Sequence, residues 1–460
     1  MTSPFNTNGS GEKSIHGSPK VLTRRVLAAY AAPAFSQALI HGPTTGSIIQ
    51  GIYASQFGLS MQSVASVLLA AGIFDAVSNP LIGYWSDRSR ARFGSRKAWL
   101  IAGSLIGVLA CWFLYVPAPP VTTAYFMCWL LFAYFGWAVS EIPYGAWMAE
   151  ISMEYDQRTR LAAWRTACTY LGAMAFFAIP LLPFFPSTEF TAATLRSTAI
   201  LAAIALPSLT AIAAAFVPNG AARTRRSERR PFGAWHAILH NRPLLAFTLM
   251  FTLVGLASGV STGLLYFYVT GYLHQGHALA QSFLVTLPVG ALSVPTWGYL
   301  CRRFGKQRAW AVGTLGGALA ILLYALVPPG PGAALWFGII LALVIGLFVS
   351  YSVAAPAVLA DVVDYGRLRF GADFAGTYFG FYIVMYKAVP NIGAAAGIAL
   401  AAFLGFNPHL AEQTPSGGTG LLLTFCAAPA LLLIIAAVLI WRFPIDSRRQ
   451  RIIARRLQGI

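Results

Sequence analysis

Long stretches without charged residues dominate this sequence. Four of them contain no Asp, Glu, Lys or Arg: residues 26–74, 98–140, 243–301 and 309–360. One membrane crossing takes about 20 apolar residues, so each stretch is long enough for two. Each also holds a turn signal where the chain can reverse, at Gln56–Ser60, Pro117–Pro120, His274–His277 and Pro328–Gly332. Four further apolar segments lie near 164–184, 195–217, 374–403 and 421–441. The pattern predicts an all-α membrane protein with twelve transmembrane helices.

Composition supports this class and excludes others. Of the 460 residues, 57% are hydrophobic and only 10% are charged, which does not fit an ordinary soluble enzyme, a disordered protein or a disulfide-stapled secreted domain. The sequence has no HExxH, GxSxG or Walker pattern, so a membrane enzyme is not favoured and no cofactor is expected. A sensor would need a soluble output domain, for which the tails are too short.

The basic residues give the orientation. The formal net charge is +18, and the basic residues form short runs between apolar stretches, not a stripe on a soluble domain, so no nucleic-acid partner is expected. With the N-terminus in the cytoplasm, all the basic runs fall on the cytoplasmic side. Of the single basic residues, Arg196 falls outside, and Arg165 and Lys387 lie within spans. We therefore predict cytoplasmic N and C termini, a multi-pass location in the cell inner membrane, and contact with anionic lipids.

An internal repeat divides the chain. Gly83-Tyr84 and Phe93-Gly94 recur as Gly298-Tyr299 and Phe304-Gly305, the latter pair 211 residues later, and Ala149-Glu150 matches Ala360-Asp361 at the same separation. Duplication of a six-helix unit predicts two pseudo-symmetric six-helix bundles that rock about a central site, which is a transporter architecture. The predicted divisions are a disordered cytoplasmic tail (1–24), an N-terminal bundle (25–217), a basic linker (218–242), a C-terminal bundle (243–442) and a basic cytoplasmic tail (443–460).

The repeated loops carry the candidate cytoplasmic gate. Glycines allow helix ends to approach closely, while acids and bases there can form a charge network that holds one gate state; the alternative is that the bases only follow the positive-inside rule. The gate candidates are Gly83, Asp87, Arg88, Gly94, Arg96, Lys97, Asp361 and Asp364.

Four charges fall inside predicted spans, where ionisable groups are costly and mark functional sites. Asp75 lies 12 residues from Asp87, and Glu141 lies 9 residues from Glu150, so the two acids are expected at one level near the midplane. Lys387 and Arg165 are the intramembrane bases. Two acids and two bases are neutral together, so we expect the four to share a cavity; structural pairing between helices is the alternative.

The first span is unusually polar. Gln37, His41 and Thr44 or Thr45 recur every three to four residues and share one helix face, and Pro43 would kink the helix beside them. We expect Gln37, His41 and Thr45 to line a substrate cavity. Aromatic residues are candidates to stack on a sugar or a lipophile: Tyr144, Trp147, Tyr378, Tyr382 and Tyr386.

Four segments resemble one transporter family in the right order. They are Phe74–Gly83, Glu141–Tyr144, Asp156–Arg165, and Ala360–Gly366 with Tyr386-Lys387. The chain resembles the major facilitator superfamily and, within it, the glycoside-pentoside-hexuronide:cation symporter family of the melibiose permease type. The resemblance implies cation-coupled symport by alternating access. It also implies coupling-ion binding at the Asp75 and Asn79 positions, an acid at Glu141, and a lysine, Lys387, beside that site.

The sequence departs from the family pattern in ways that bear on ion and substrate. The second family acid is Asn79 here, the asparagine before it is Ser78, and a threonine before the lysine is Ile383. Sodium needs several hard oxygen ligands, so H⁺ is favoured over Na⁺, and uncoupled transport or efflux stays open. The first span lacks the acid that clamps sugar hydroxyls in the resembled permeases.

The substrate class follows from the same positions. In the resembled permeases a tryptophan on which the sugar stacks stands four residues after the fourth-span acid, where this chain has Gly145. This difference argues against a galactoside such as melibiose, whereas Arg165 and Lys387 could attract a carboxylate, as in a uronide or another organic anion. We expect a sugar, glycoside or uronide-like solute, contacted by Glu141, Tyr144, Arg165, Tyr382 and Lys387. An amphiphile or lysolipid-type cargo is the alternative.

Overall fold

The structure is a computed structural model that describes residues 22–151, 155–220, 240–330, 332–370, 375–410, 413–445 and 447–458. All regular secondary structure in these ranges is helical. The predicted N-terminal tail and linker fall mainly outside them.

We define the first half as α1–α7 and the second half as α8–α15. The helices are α1 (Arg24–Thr45), α2 (Ser47–Ser55), α3 (Met61–Phe93), α4 (Lys97–Tyr115), α5 (Thr123–Ile151), α6 (Tyr155–Ala178), α7 (Ala192–Phe216), α8 (Arg242–Phe267), α9 (Gly276–Phe304), α10 (Lys306–Leu323), α11 (Ala333–Phe370), α12 (Ala375–Phe403), α13 (Pro415–Leu422), α14 (Ala428–Trp441) and α15 (Ser447–Gln458).

Local signals fix several of these boundaries. Ser60 caps α3 by accepting a hydrogen bond from the Ser63 amide at 3.1 Å, and Gly94 ends the same helix in the left-handed conformation, with φ +72°. Asn241 caps α8 by accepting a bond from the Leu244 amide at 3.2 Å. Gly46 separates α1 from α2, so the polar first span is a helix interrupted at Gly46.

Within the described ranges, ten helical segments are long and apolar enough to cross a membrane. Neither α1 nor α6 is among them. The reason is visible in their sequences: α1 carries Gln37 and His41 beyond its N-terminal arginines, and α6 carries Arg165 beyond Arg158 and Arg160. The many-helix membrane fold is therefore established, and buried or partly buried polar residues of α1 and α6 explain why these two helices fall outside the ten.

The two halves pack together at one end. We call the end formed by the loops around Arg88–Lys97 and Arg302–Arg308 the basic end. Helix α3 packs on α12, α2 on α8, and α6 on α9. At the end opposite the basic end, Phe177 stacks on Phe283 with ring centroids 4.3 Å apart, and the amide of Tyr266 donates to Ser47 Oγ at 3.0 Å.

Glycine makes this packing close. A Cβ on Gly51 would lie 2.0 Å from a ring carbon of Tyr266, so the aromatic ring lies directly on the backbone of α2. Towards the basic end, in contrast, α12 exposes Ile383 and Tyr386, which lie within about one turn of Lys387. Helix α3 exposes Val77 and Leu81 there, on the side turned away from Asp75 and Asn79. The halves are therefore closed against each other at one end, and α12 is less covered beside the cavity.

Candidate functional site

A cavity of about 320 Å³ lies between the two halves. Helices α1, α3 and α5 form its wall on one side, and α8, α11 and α12 form it on the other. The lining combines charged, amide, hydroxyl and aromatic side chains. Its residues are His41, Gly42, Gly46, Asp75, Tyr134, Trp137, Gly255, Ser258, Thr262, Tyr351, Tyr386, Lys387, Pro390 and Asn391.

Asp75 is the buried acid of this cavity. Its side chain has no exposed surface, and neither carboxylate oxygen makes a hydrogen bond of normal geometry to any described residue. Asn79, one turn along α3, lies beside it, and Lys387 is the cation that attracts it. A buried carboxylate without hydrogen bonds is expensive, so Asp75 is a group that a bound proton or cation would stabilise.

Lys387 faces Asp75 from the other half. Its Nζ donates to Asn79 Oδ1 at 3.5 Å and lies 4.0 Å from the ring centroid of Trp137. The ammonium is therefore held by an amide oxygen and an aromatic face, with electrostatic attraction to Asp75 and Glu141. Because the amide oxygen of Asn79 is engaged in this way, its Nδ2 is left buried without a partner among the described residues.

Trp137 is enclosed by two polar side chains. His41 stacks on it with centroids 3.7 Å apart and planes 20° from parallel. A stacked imidazole and an ammonium 4.0 Å from the same centroid cannot occupy one face, so His41 and Lys387 lie on opposite faces of the indole. Trp137 thereby connects the first span to the eleventh predicted span.

A hydrogen-bonded chain joins α5 to α12 on the same level. The Tyr134 hydroxyl donates to Asn391 Oδ1 at 3.2 Å, and Asn391 Nδ2 donates to the carbonyl of Lys387 at 3.2 Å. Tyr134 is also close enough to Asp75 to interact with it electrostatically. This chain fixes the backbone from which Lys387 reaches across the cavity.

The other predicted charges form a separate ion pair. Arg165 donates to Glu141, with both side chains largely buried, and its guanidinium lies 4.4 Å from the centroid of the Tyr144 ring. Tyr144 has no exposed surface, and its hydroxyl donates to the carbonyl of Tyr30. This corrects the expectation that Tyr144 contacts the substrate: in this conformation it supports Arg165 from inside the first half.

The remaining substrate candidates are distributed unevenly. His41 lines the cavity, while Gln37 donates to Ser140 Oγ at 2.7 Å one turn away. The side chain of Thr45 lies outside the described part of the structure. Tyr382 packs against Phe251, with centroids 4.8 Å apart. Among the aromatic candidates, Tyr386 is the one that lines the cavity.

Several cavity residues carried no recognisable signal in the sequence. They are uncharged side chains on apolar helices, where hydroxyls and aromatics are common and usually serve packing. Within the described residues there is no group of three or more His, Cys, Asp or Glu side chains that could hold a metal ion. The unforeseen lining residues are Tyr134, Trp137, Ser258, Thr262, Tyr351 and Asn391.

At the basic end, the gate candidates of the first half form an ion-pair network. Arg96 donates to Asp87 at 2.6 Å and to Glu150 at 2.8 Å. Arg90 donates to the second Glu150 oxygen at 3.0 Å. Glu150 and Arg90 were absent from the predicted gate, although the repeat had paired Glu150 with Asp361.

The other gate candidates of the first half have mixed surroundings. Lys97 Nζ donates to the carbonyl of Ala214 at 2.7 Å. Gly94 accepts a hydrogen bond from Arg90 through its carbonyl, Gly83 lies beside Ile142, and Arg88 is exposed. The ion-pair network therefore depends on Asp87 and Arg96 among the predicted residues.

The second half repeats this arrangement in a simpler form. Lys306 Nζ contacts both oxygens of Asp361, at 2.8 and 2.9 Å. Asp364 pairs with Arg367 of its own helix at 3.3 Å. In both halves these ion pairs connect elements of the same half, so each loop is tied to a helix beside it.

Comparison with known proteins identifies a family that the chain matches over most of its length. The profile of the family described as MFS/sugar transport protein matches residues 30–447. The uncharacterized symporter YnaJ of Bacillus subtilis is 23% identical over 445 residues, covering 94% of both chains. The putative glycoside/cation symporter YagG of Escherichia coli is 24% identical, covering 88% of each. The sodium-dependent lysophosphatidylcholine symporter 1 of Gallus gallus is 23% identical, covering 86% of this chain and 82% of its own.

Solved structures agree on the fold. The nucleoside transporter NupG superposes with a TM-score of 0.69 at 13% identity, covering 92% of this chain and 100% of its own. A bacterial homologue of the human lysosomal transporter Spinster, in an inward-facing and unoccupied conformation, superposes with a TM-score of 0.66 at 15% identity, covering 93% and 97%. At these identities the likeness establishes the fold alone.

Proposed function

Because the chain belongs to the MFS/sugar transport protein family, we propose that it is a cation-coupled transporter that moves a small organic solute by alternating access. It has twelve spans with both termini in the cytoplasm, and it is a transporter and not an enzyme. The observation that carries the proposal is the arrangement of Asp75 and Lys387, a buried acid and a half-buried base supplied by opposite halves to one cavity.

The site favours a proton as the coupling ion. A sodium ion needs several oxygen ligands, yet Asp75 is the one carboxylate that the described part of the chain brings to the cavity lining, and the amide oxygen of Asn79 is engaged by Lys387. A proton needs only the carboxylate itself. Protonation of Asp75 removes its attraction for Lys387 and leaves the ammonium available to a substrate group.

The cavity chemistry supports a sugar, glycoside or uronide as substrate. Its volume of about 320 Å³ lies at the lower end of the range for small-molecule sites. Tyr386 offers an aromatic face, and Ser258, Thr262 and Asn391 offer hydrogen-bonding groups. A carboxylate on the solute would pair with Lys387.

An amphiphile is the second candidate because of one feature of α3. The helix that carries Asp75 exposes Val77, Leu81 and Trp85, which recur every four residues along one apolar stripe. The stripe lies on the side of α3 turned away from Asp75 and Asn79. An acyl chain would contact this stripe outside the cavity, and only the head group would enter the cavity. Similarity to the lysophosphatidylcholine symporter supports this alternative.

The conformation corresponds to one state of the transport cycle. The end closed by the Tyr266 ring on Gly51 corresponds to the extracellular side in the predicted orientation, and the exposed part of α12 at Ile383 and Tyr386 lies towards the cytoplasmic side. The structure then represents an inward-facing state, in which the Asp87–Arg96–Glu150 and Lys306–Asp361 networks hold each cytoplasmic loop in place.

Reconstituted vesicles test the proposal. Purified protein in proteoliposomes is offered labelled glycosides, uronides and lysolipids, with a proton gradient or a sodium gradient imposed separately. We expect a sugar-type solute to accumulate when the proton gradient is applied and not when sodium is applied. Sodium-driven accumulation would refute proton coupling, and accumulation of lysolipid alone would select the second candidate.

A further inference from the structure

A second and larger cavity, of about 820 Å³, lies at the basic end of the second half. It is bounded by the end of α9, the start of α10, a side of α11 and the helix α15. Among the described lining residues Asp361 is the one acid, and Lys306 already occupies both of its oxygens. The basic residues in the lining are Arg302, Arg303, Lys306, Arg308 and Arg451. The lining therefore carries a large positive excess, which an anion would offset.

Helix α15 covers this cavity and is itself strongly basic and amphipathic. Between Ser447 and Gln458 it has five arginines and no acid. Ile453 is buried against the second half and anchors the helix, while Arg451 faces the cavity. Ile452 and Leu457 are 47% and 41% exposed. A short helix of arginines with exposed aliphatic side chains is typical of a segment that lies in the membrane interface.

Aromatic residues surround the same region. Phe304 at the end of α9 and Trp441 at the end of α14 are 56% and 58% exposed. The guanidinium of Arg308 lies 5.9 Å from the centroid of a Trp441 ring, and that of Arg303 lies 5.6 Å from the Phe304 ring. Aromatic side chains beside arginines at the ends of membrane-spanning helices mark the level of lipid head groups.

We propose that this cavity binds the phosphate head group of an anionic phospholipid, with α15 lying in the cytoplasmic membrane interface. The arginines of α9, α10 and α15 contact the phosphate, while Ile452, Leu457 and Trp441 face the acyl-chain boundary. The exposed apolar rim is the reason for choosing a lipid over a soluble anion, because a soluble anion would leave that rim in water. The proposal does not depend on which solute the transporter carries.

A lipid-dependent stability assay tests it. Full-length protein in detergent is titrated with phosphatidylglycerol or phosphatidylcholine while its melting temperature is followed. Phosphatidylglycerol should raise the melting temperature and phosphatidylcholine should not. The variant R302Q/R308Q should bind phosphatidylglycerol about thirtyfold more weakly, given the usual gain per basic residue near an anionic lipid surface. The matched control R24Q/R25Q removes the same charge from exposed residues of α1 and should respond like the wild type.

Two further measurements test the apolar contact and allow for an unstable arginine variant. I452Q/L457Q retains every arginine and should also weaken the response, because it removes the apolar contact. If R302Q/R308Q is too unstable to melt cooperatively, native mass spectrometry of the purified protein should show less retained phosphatidylglycerol than in R24Q/R25Q. Equal responses of R302Q/R308Q and R24Q/R25Q, or equal stabilisation by inorganic phosphate, would overturn the proposal.

Discussion

Lys387 and Asn79 meet across the boundary between the two halves, with the ammonium nitrogen 3.5 Å from the amide oxygen. Asn79 stands one turn from Asp75 on α3, so Lys387 reaches the part of the site where a second carboxylate would otherwise help to bind a metal cation. A fixed ammonium in that position supplies the positive charge from within the protein. In the proposed mechanism, the coupling step is the binding of a proton by Asp75, which removes its attraction for Lys387.

Removal of the Asp75 carboxylate should uncouple transport. In D75N the side chain cannot exchange a proton, so we expect solute to equilibrate across proteoliposomes without accumulating above the equilibrium level. Counterflow of preloaded solute should continue, since it needs no net proton movement. E189Q is the matched control, because Glu189 is exposed in the segment between α6 and α7; its accumulation should equal that of the wild type. Unchanged accumulation by D75N would exclude Asp75 as the coupling residue.

Lys387 and Asp75 should be energetically coupled. K387M leaves Asp75 buried without its compensating charge, and D75N leaves Lys387 in the same condition, so each variant should unfold at a lower temperature than the wild type. The double variant should be less destabilised than the sum of the two, by roughly 0.5–3 kcal/mol in a double-mutant cycle. Thermal unfolding of the four proteins in one detergent measures this difference. Strict additivity would show that the two charges do not interact.

Glu150 should matter far more for stability than Asp87. Glu150 is buried and accepts bonds from two arginines, whereas the Asp87 side chain is 64% exposed. E150Q leaves Arg90 and Arg96 without a buried countercharge and should cost about 3–5 kcal/mol. D87N removes an exposed partner and should cost about 1 kcal/mol or less. Melting of the detergent-solubilised variants compares them, and equal losses would contradict the buried role of Glu150.

Enlarging Gly51 should open the end that Tyr266 closes. G51V places side-chain atoms where the Tyr266 ring lies, so the ring must move and the closed contact is lost. We expect a cysteine placed at the cavity residue Ser258 to react faster with an impermeant thiol reagent added from the extracellular side. G380A is the control, since a Cβ at Gly380 meets nothing within 4 Å. No change in labelling would show that this contact does not seal the cavity.

Charge was the most informative sequence signal for the site. A single Asp or Lys in a long apolar segment has few structural uses, so Asp75 and Lys387 were identified from the sequence and the structure brings both to one cavity. Trp137 was not identified, although it contacts both His41 and Lys387. Tryptophan is common in membrane helices, and only the three-dimensional packing distinguishes this one.

Averaged hydropathy does not identify α1 and α6 as membrane spans. Both helices fall outside the ten segments that satisfy simple criteria for a membrane span. Their polar residues, including His41 and Arg165, face a neighbour or the cavity and not lipid. Averaging over a helix cannot show which face a residue occupies, so helices that build a polar site lose their apparent membrane character.

Gly46 interrupts the first span at the wall of the cavity, and its amide turns back to bond the carbonyl of Gly42 at 2.9 Å. The short segment beyond it, which holds Ser47 and Gly51 against Tyr266, is therefore a separate piece of helix, joined to the long segment through the extended backbone of Gly46. We expect this break to let the two turns of helix beyond Gly46 move away from Tyr266 before either half rotates as a body.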